Sequence, residues 1–219
     1  MTIILQNVTK TVKRLGLNRD VLSAVNAVIP SDRRIALLTP RSEDRQVFIE
    51  LLAGVTLPTA GRIIRRASVS FPVGYLGGFE PALSIKVNIE HAARLYGVDG
   101  RAIVTFMRQV VDFSDVFERP FRELPASKRK QLGYILPYTI PFNIYLLDAE
   151  PAKAPVECRS TVRELFIMRA ASSGIIVATG SHRFARTYCD MVMVLADGHL
   201  RIFDSVEEAN VLPLSWWQL

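Results

Sequence analysis

The residues best placed to do chemistry lie in a polar loop between an apolar run and an amphipathic segment. This loop, residues 39–46 (TPRSEDRQ), follows the apolar residues 35–38 and precedes apolar residues at the spacing of one helix face. Mononucleotide-binding proteins place a phosphate loop, G-x-x-x-x-G-K-[ST], between a strand and a helix in this way. Its glycines let backbone N–H groups converge on phosphate oxygens, while the lysine and the hydroxyl engage the terminal phosphates and Mg²⁺.

The side chains of this loop differ from that pattern at each important position. By spacing, Thr39, Ser42 and Asp44 stand where small residues belong, Arg45 stands at the lysine position and Gln46 at the hydroxyl position. The candidate nucleotide-binding positions are Thr39, Pro40, Arg41, Ser42, Glu43, Asp44, Arg45, Gln46 and Val47. Taken alone, the segment is better interpreted as a polar loop that caps a helix, with Ser42 as the N-cap residue.

Composition indicates a soluble globular protein of one domain. The chain has 219 residues, of which 49% are hydrophobic and 22% charged, with a net charge of +6. The basic residues are scattered, which favours a solvated surface over a nucleic-acid interface. The two cysteines, Cys158 and Cys189, suit a reducing compartment. The N-terminus does not resemble a signal peptide, and the apolar run 133–147 is interrupted by Pro137 and Pro141. We therefore expect a cytoplasmic protein.

Periodicity predicts alternating strands and helices. Apolar or β-rich runs predict strands at residues 2–8, 34–38, 144–147, 174–179 and 191–195. Apolar residues at helical spacing predict helices at 43–52, 86–96, 102–113 and 158–171. Continuous apolar strands separated by helices favour an α/β core with a parallel sheet covered on both faces. A helix-rich stretch at 82–132 interrupts this core.

Several further segments, taken in order, resemble one protein family. Segment 73–97 (VGYLGGFEPALSIKVNIEHAARLYG) is similar to the G-G-F-x-P-x-L-T-G-x-x-N pattern and Y-G ending of ATP-binding subunits in polysaccharide-export ABC transporters. Segments 57–63 (LPTAGRI), 188–190 (YCD) and 203–209 (FDSVEEA) also resemble that family. Residues 144–148 resemble its Walker B strand, and Ser181-His182 resembles its switch histidine motif. The resemblance spans residues 1–210 without a gap between Arg45 and Gly54, so the loop substitutions fall within the motif.

The resemblance implies the fold and the parts of the site. The fold would be α/β, a P-loop NTPase-like (RecA-like) ABC ATPase core with a mainly parallel sheet, an N-terminal antiparallel β portion and a helical subdomain. The expected core comprises residues 1–81 and 133–205, the helical subdomain 82–132 and a C-terminal tail 206–219. Asp148 would be the Walker B aspartate and the only metal ligand, for Mg²⁺ if nucleotide binds. His182 would be the switch histidine.

Other family motifs are altered. Ala149 stands at the position of the catalytic glutamate, and a methyl group can neither accept a proton nor order a water. Glu150 lies one residue further on, where the alternation of a strand end should direct it to the other side unless a turn redirects it. The signature-like segment consists of Leu124, Pro125, Ala126, Ser127 and Lys128. No glutamine stands between Ser68 and Phe79, and Val12 replaces the adenine-stacking aromatic residue.

These departures favour a degenerate, non-hydrolysing subunit associated with a capsule-type polysaccharide exporter. One alternative is an active ATPase subunit that drives polysaccharide export across the inner membrane. Another is a repurposed regulatory protein, or a glycan- or lipid-binding protein, with the ABC fold. The terminal pair Trp216 and Trp217 is relevant to this alternative, because it would either pack on the domain's own surface or anchor a partner or a membrane interface. No cofactor is expected, or MgATP if nucleotide binding survives. The expected partners are a transporter membrane subunit and, in a dimer, the chain itself or a related subunit, but no nucleic acid. The protein would lie peripherally on the inner face of the bacterial inner membrane.

Overall fold

The computed structural model describes residues 1–14 and 17–211, which form two compact units. The first, here called the α/β unit, comprises Met1–Pro72, Phe142–Glu150 and the residues from Ala170 onward. The second, here called the helical unit, comprises Val73–Pro141 and Pro151–Arg169. The paired tryptophans Trp216 and Trp217 lie outside the described residues.

A three-stranded antiparallel sheet forms the N-terminal part of the α/β unit. Its strands are β1 (Thr2–Arg14), β2 (Leu17–Pro30) and β4 (Ala60–Arg65), in the order β2-β1-β4. The pairing of β1 with both neighbours shifts register after residues 5 and 6, next to Asn7, whose φ is 53°. Gly61 of β4, with φ 78°, packs against this irregularity. A Cβ there would lie 2.2 Å from the carbonyl oxygen of Asn7, so only glycine fits.

A five-stranded sheet forms the rest of the core of the α/β unit. Its strands are β3 (Arg34–Leu38), β5 (Ile144–Leu147), β6 (Gly174–Ala178), β7 (Met191–Ala196) and β8 (His199–Phe203). Their order is β5-β6-β3-β7-β8, and every pairing is parallel except that of β7 with β8. Strands β5 and β6 are buried along their whole length, which explains their continuous apolar sequences.

The helices divide between the two units. Helix α1 (Ser42–Ala53) and helix α6 (His182–Tyr188) belong to the α/β unit. Helices α2 (Ile85–Leu95), α3 (Gly100–Val110) and α4 (Ala126–Thr139) belong to the helical unit, as does all but the last residue of α5 (Arg159–Ala170). Short 3₁₀ turns lie at Ser114–Val116, Phe121–Glu123, Pro151–Lys153, Val156–Cys158 and Glu208–Val211. Over the described part of the chain, no helix is long and apolar enough to cross a membrane.

The α/β fold and its mainly parallel sheet confirm the fold class expected from the sequence. The predicted strands at 34–38 and 144–147 coincide with β3 and β5, and the four predicted helices match α1, α2, α3 and α5 to within a few residues. Elements β2, β4, β8, α4 and α6 were not among the predicted strands and helices. Pro137 lies inside α4, which explains why that apolar run was not assigned to a helix.

Candidate functional site

Three polar segments meet at the carboxyl edge of the parallel strands. Residues 39–46 follow β3, residues 148–150 follow β5 and residues 179–182 follow β6. Because β6 pairs with both β3 and β5, the three segments lie side by side at one edge of the sheet. Open α/β sheets bind their ligands at this edge, so it is the candidate functional site.

The turn between β3 and α1 is closed by its own side chain. Thr39 is 7% exposed. Its Oγ1 donates to the carbonyl oxygen of Arg41 at 3.2 Å and accepts from the N–H of Arg41 at 3.4 Å. Arg41 therefore takes the N-cap position without a side-chain cap, and Ser42 is already the first helical residue. The expectation that Ser42 is the N-cap was wrong, because the turn around Thr39 starts the helix one residue earlier than a Ser42 cap would. Pro40 is exposed in this turn, as is Glu43 in the first turn of α1.

Arg45 and Asp148 form an ion pair across the site. The Nε atom of Arg45, in the first turn of α1, donates to Oδ1 of Asp148 at 2.8 Å. Both side chains remain partly exposed, at 31% and 40% respectively. The cationic residue at the lysine position is thus bound to the carboxylate expected to hold Mg²⁺.

Asp44 is directed away from this edge, towards the antiparallel sheet. Its carboxylate accepts from Nη1 of Arg19 at 2.9 Å and from Nη2 at 2.5 Å, and the Asp44 side chain is 7% exposed. The hydrogen bond to Asp44 raises the pKa of the Arg19 guanidinium above its ordinary value. Asp44, which stands at a glycine position of the phosphate-loop pattern, therefore anchors the first turn of α1 to β2.

The last turn of α1 is held by the same sheet. Arg65, the final residue of β4, donates from Nε to the carbonyl oxygen of Leu52 at 2.8 Å and from Nη2 to that of Leu51 at 2.5 Å. These carbonyls belong to the last turn, where the helix itself supplies few donors, and the Leu51 carbonyl also accepts from the N–H of Gly54 at 3.2 Å. Gly54, with φ 83°, then ends the helix in the left-handed conformation.

Gln46 and Val47 are engaged within α1 and the core. Nε2 of Gln46 donates to Oε1 of Glu50, one turn along the helix, at 2.9 Å. Val47 is partly buried and packs against the core of the α/β unit. Neither side chain supplies the hydroxyl that a magnesium-bound nucleotide requires at this point.

Glu150 lies at the same edge, hydrogen-bonded to the segment after β6. Oγ1 of Thr179 donates to Oε1 of Glu150 and accepts from the N–H of Ser181 at 2.9 Å. Thr179 is 7% exposed, whereas Ala149 is only half-buried. The turn after Asp148 therefore brings the carboxylate of Glu150 onto the end of β6, which strand alternation alone did not predict.

His182 begins α6 directly after this hydrogen-bonded segment. Ser181 is the N-cap of α6, and its Oγ accepts from the N–H of Phe184 at 3.1 Å. The predicted residues Arg45, Asp148, Ala149 and His182 thus all lie on segments at one edge of the sheet. Arg19, Thr179 and Glu150 contribute contacts that the motif comparison did not assign.

The signature-like segment lies in the helical unit. Leu124 is buried, Pro125 is the N-cap of α4, and Ala126 and Ser127 are exposed in its first turn. Lys128 donates to Oδ1 of Asp112 at 2.6 Å. This hydrogen bond lowers the pKa of the Asp112 carboxyl below its ordinary value. Pro125 has no N–H or hydroxyl, and Lys128 is engaged by a carboxylate of its own unit.

Polar and charged side chains at the phosphate-loop and Walker B positions contact one another or their own helix. The carboxylate of Asp148 accepts a hydrogen bond from the guanidinium of Arg45, and the amide of Gln46 donates to Glu50. Over residues 1–14 and 17–211, no three His, Cys, Asp or Glu side chains gather closely enough to hold a metal ion.

Known proteins resemble this chain over nearly its whole length. No protein-family model matches it. The polysialic acid transport ATP-binding protein KpsT of Escherichia coli is 24% identical, covering 90% of this chain and 88% of the relative. The capsule polysaccharide export ATP-binding protein CtrD of Neisseria meningitidis is 28% identical, covering 89% and 92% respectively. The ATP-binding protein BexA of Haemophilus influenzae is 27% identical, covering 87% and 88%.

Solved structures show the same fold. An ATP-binding subunit of an ABC transporter superposes with a TM-score of 0.70 at 15% identity, covering 96% of this chain and 98% of that one. A dimeric ATP-binding cassette bound to ADP and Pi superposes with a TM-score of 0.66 at 15% identity, covering 92% and 98%. The chain is therefore a homologue of the ATP-binding proteins of polysaccharide- and capsule-export ABC transporters, and its fold is that of the ABC ATPase domain.

Proposed function

We propose that this chain is a non-hydrolysing ATP-binding-cassette subunit of a capsule-type polysaccharide exporter. The observation that carries the proposal is the ion pair between Arg45 and Asp148. The guanidinium of Arg45 supplies Asp148 with the positive charge that Mg²⁺ would otherwise bring with the nucleotide. No MgATP is required to neutralise this carboxylate, and binding MgATP would first have to break the pair.

The absence of a general base at position 149 supports the same proposal. A positioned proton acceptor contributes about 10²–10⁴-fold to such reactions, and alanine has no group that can accept a proton. The anchored loop adds to this effect, because Asp44 points to Arg19 and cannot form the open glycine cradle that phosphates need. We therefore expect neither tight MgATP binding nor hydrolysis.

The proposed partners follow from the relatives. CtrD and KpsT are named as export and transport ATP-binding proteins, and one structural neighbour is a dimer. We propose that this chain docks on a membrane subunit at the cytoplasmic face of the inner membrane and pairs with itself or a related subunit. In such dimers each ATP site combines the loop of one chain with the signature of the other. Pro125 in the signature position would then weaken the partner's site as well.

One observation favours a second candidate, a working ATPase with a displaced base. Glu150 lies at the carboxyl edge and is bound to Thr179, next to the segment that carries His182. In this alternative, Glu150 would perform the task of the missing residue at position 149. Its substitution by glutamine would then abolish hydrolysis.

The deciding experiment is calorimetric titration of the purified chain with MgATP, with purified BexA as the control under the same buffer conditions. The proposal expects a binding isotherm for BexA and none for this chain. A parallel phosphate-release assay compares the unaltered chain with Glu150→Gln. Micromolar binding together with hydrolysis that disappears in Glu150→Gln would refute the proposal and establish the second candidate.

A further inference from the structure

A cleft of about 770 Å³ lies in the helical unit between α2 and α3. None of its lining residues belongs to the loop after β3. Lys86, Glu90 and Arg94 line it from α2 at intervals of four residues, so they share one face of that helix. Arg101 and Arg108 line it from α3, two turns apart. The cleft is within the size range of small-ligand sites.

The order of charges along the cleft follows from contacts at its two ends. At one end, Lys86 and Arg108 both approach Oε1 of Glu118, at 3.7 and 2.8 Å. Near the other end, the start of α3 lies directly on α2, because a Cβ on Gly100 would be 2.9 Å from the Cα of Glu90. Arg94 and Arg101 therefore occupy the end where the chain turns from α2 into α3.

Arg94 and Arg101 are both exposed side chains in the lining of this cleft. Within the described residues, neither Arg94 nor Arg101 forms an ion pair. Asp99 also lines the cleft, but its carboxylate accepts from the backbone N–H of Arg101 as the N-cap of α3. Glu90 is the other carboxylate in the lining, against four cationic side chains. The turn end of the cleft thus presents two guanidinium groups to solvent.

We propose that this cleft is a binding site for a phosphate-bearing ligand, held by Arg94 and Arg101. A guanidinium presents paired N–H donors that match phosphate oxygens. Two guanidinium groups therefore suit a phosphate dianion better than they suit a ligand with a single carboxylate. Val98 and Val104 in the lining give the remainder of the ligand an apolar contact. The phosphate belongs either to a free small molecule or to a lipid headgroup.

The first test is calorimetric titration of the whole chain with inorganic pyrophosphate at low ionic strength. We expect saturable binding that weakens about tenfold or more in the double variant Arg94→Gln/Arg101→Gln, because two charge-assisted contacts are lost. Arg163→Gln on α5 is the matched control, since Arg163 is an exposed helical arginine of the same unit that does not line the cleft. Circular dichroism checks that each variant is folded.

A second control separates this cleft from the loop after β3. Arg45→Gln should leave pyrophosphate binding unchanged. Loss of binding in Arg45→Gln with retention in the Arg94→Gln/Arg101→Gln variant would overturn the assignment. This readout does not depend on MgATP, so its failure is distinct from a failure of the proposed function.

Sedimentation with lipid vesicles identifies the source of the phosphate. Phosphatidylcholine vesicles with and without phosphatidic acid are compared, using the same variants. Arginine-dependent binding only to vesicles that contain phosphatidic acid indicates a headgroup, and binding of pyrophosphate alone indicates a soluble ligand. If neither probe binds in an arginine-dependent way, the proposal is wrong.

Discussion

Arg45 and Asp148 are separated by 103 residues in the sequence, yet their side chains are joined by a 2.8 Å hydrogen bond. Arg45 lies in the first turn of α1 and Asp148 directly follows β5, with β6 between β3 and β5 in the sheet. The pair therefore spans the width of the candidate site. Both side chains are partly exposed, so solvent screens their attraction.

We expect this ion pair to contribute little to folding. Arg45→Gln and Asp148→Asn should each lower the free energy of unfolding by about 1 kcal/mol or less. A double-mutant cycle measured by urea denaturation gives the coupling between them. A coupling well above that range would show that the pair is a major element of stability and not mainly a feature of the site.

Asp44 should behave differently, because it is buried with a two-point contact to Arg19. Asp44→Asn removes the charge and should destabilise the chain by about 1.5–3 kcal/mol, the usual range for hydrogen bonds to charged groups. Urea denaturation measures this change, with Glu164→Gln on the exposed face of α5 as the matched control. If both variants unfold at the same urea concentration, Asp44 does not anchor α1.

Stability should fall at acid pH partly through Asp190. Its carboxylate accepts from the N–H of Arg34 at 3.0 Å and from the Arg34 guanidinium at 2.5 and 3.1 Å. The side-chain hydrogen bond is the main reason that the pKa of Asp190 lies below its ordinary value in the folded chain. A lowered folded pKa contributes stability above the unfolded pKa, and this contribution is lost as the pH falls through the folded value.

The test compares urea denaturation at neutral pH and below pH 4 for the unaltered chain and Asp190→Asn. The variant should be less stable at neutral pH, and its stability should depend less on pH across the acid range. An identical pH dependence in the two proteins would contradict the assignment.

Gly61 offers a test of the backbone. Gly61→Ala should destabilise the chain by about 1–3 kcal/mol or more, since a side chain is strained at φ 78° and its Cβ would overlap the carbonyl of Asn7. Thermal unfolding gives the comparison. Gly78→Ala is the control, because a Cβ there meets no atom within 4 Å. Equal melting temperatures for the two variants would argue against the close approach of β4 to β1.

Restoring the phosphate-loop motif tests whether the rest of the site can still bind MgATP. The combined change Thr39→Gly, Asp44→Gly, Arg45→Lys and Gln46→Ser removes the ion pair of Asp44 with Arg19, replaces the Arg45 guanidinium with an ammonium and supplies the residues that a phosphate loop needs. We expect this variant to gain MgATP binding by calorimetry. Ala149→Glu alone should gain neither binding nor hydrolysis, because the loop still excludes phosphate. Binding by Ala149→Glu alone would show that the natural loop is competent.

The sequence was most informative where strands are buried on all sides. Residues 35–38 and 144–147 are continuous apolar runs because both faces of β3 and β5 are covered there. Strand β2 was missed because buried and exposed positions follow no simple alternation where its pairing shifts register. Strand β4 was missed because its residues are mostly exposed and include Gly61.

The site was predictable in its motif positions but not in its contacts. The family resemblance assigned Arg45 and Asp148 to one nucleotide site, but it did not show that the two side chains bind each other. The contact of Asp44 with Arg19 joins residues 25 apart on different elements, and no local pattern reports it. The position of Glu150 depends on the turn after Asp148, which strand periodicity cannot describe.

The two arginines that hold α1 have a consequence for engineering this chain. Arg19 binds the first turn of the helix and Arg65 the last, and both belong to the antiparallel sheet. The antiparallel sheet thus fixes both the position and the rotation of α1. A loop transplanted from an ATP-hydrolysing relative would lose the contact of Asp44 with Arg19, so the sheet would hold α1 only through Arg65 at the last turn of the helix. Optimising such a graft should therefore involve residues of β2 as well as residues of the loop.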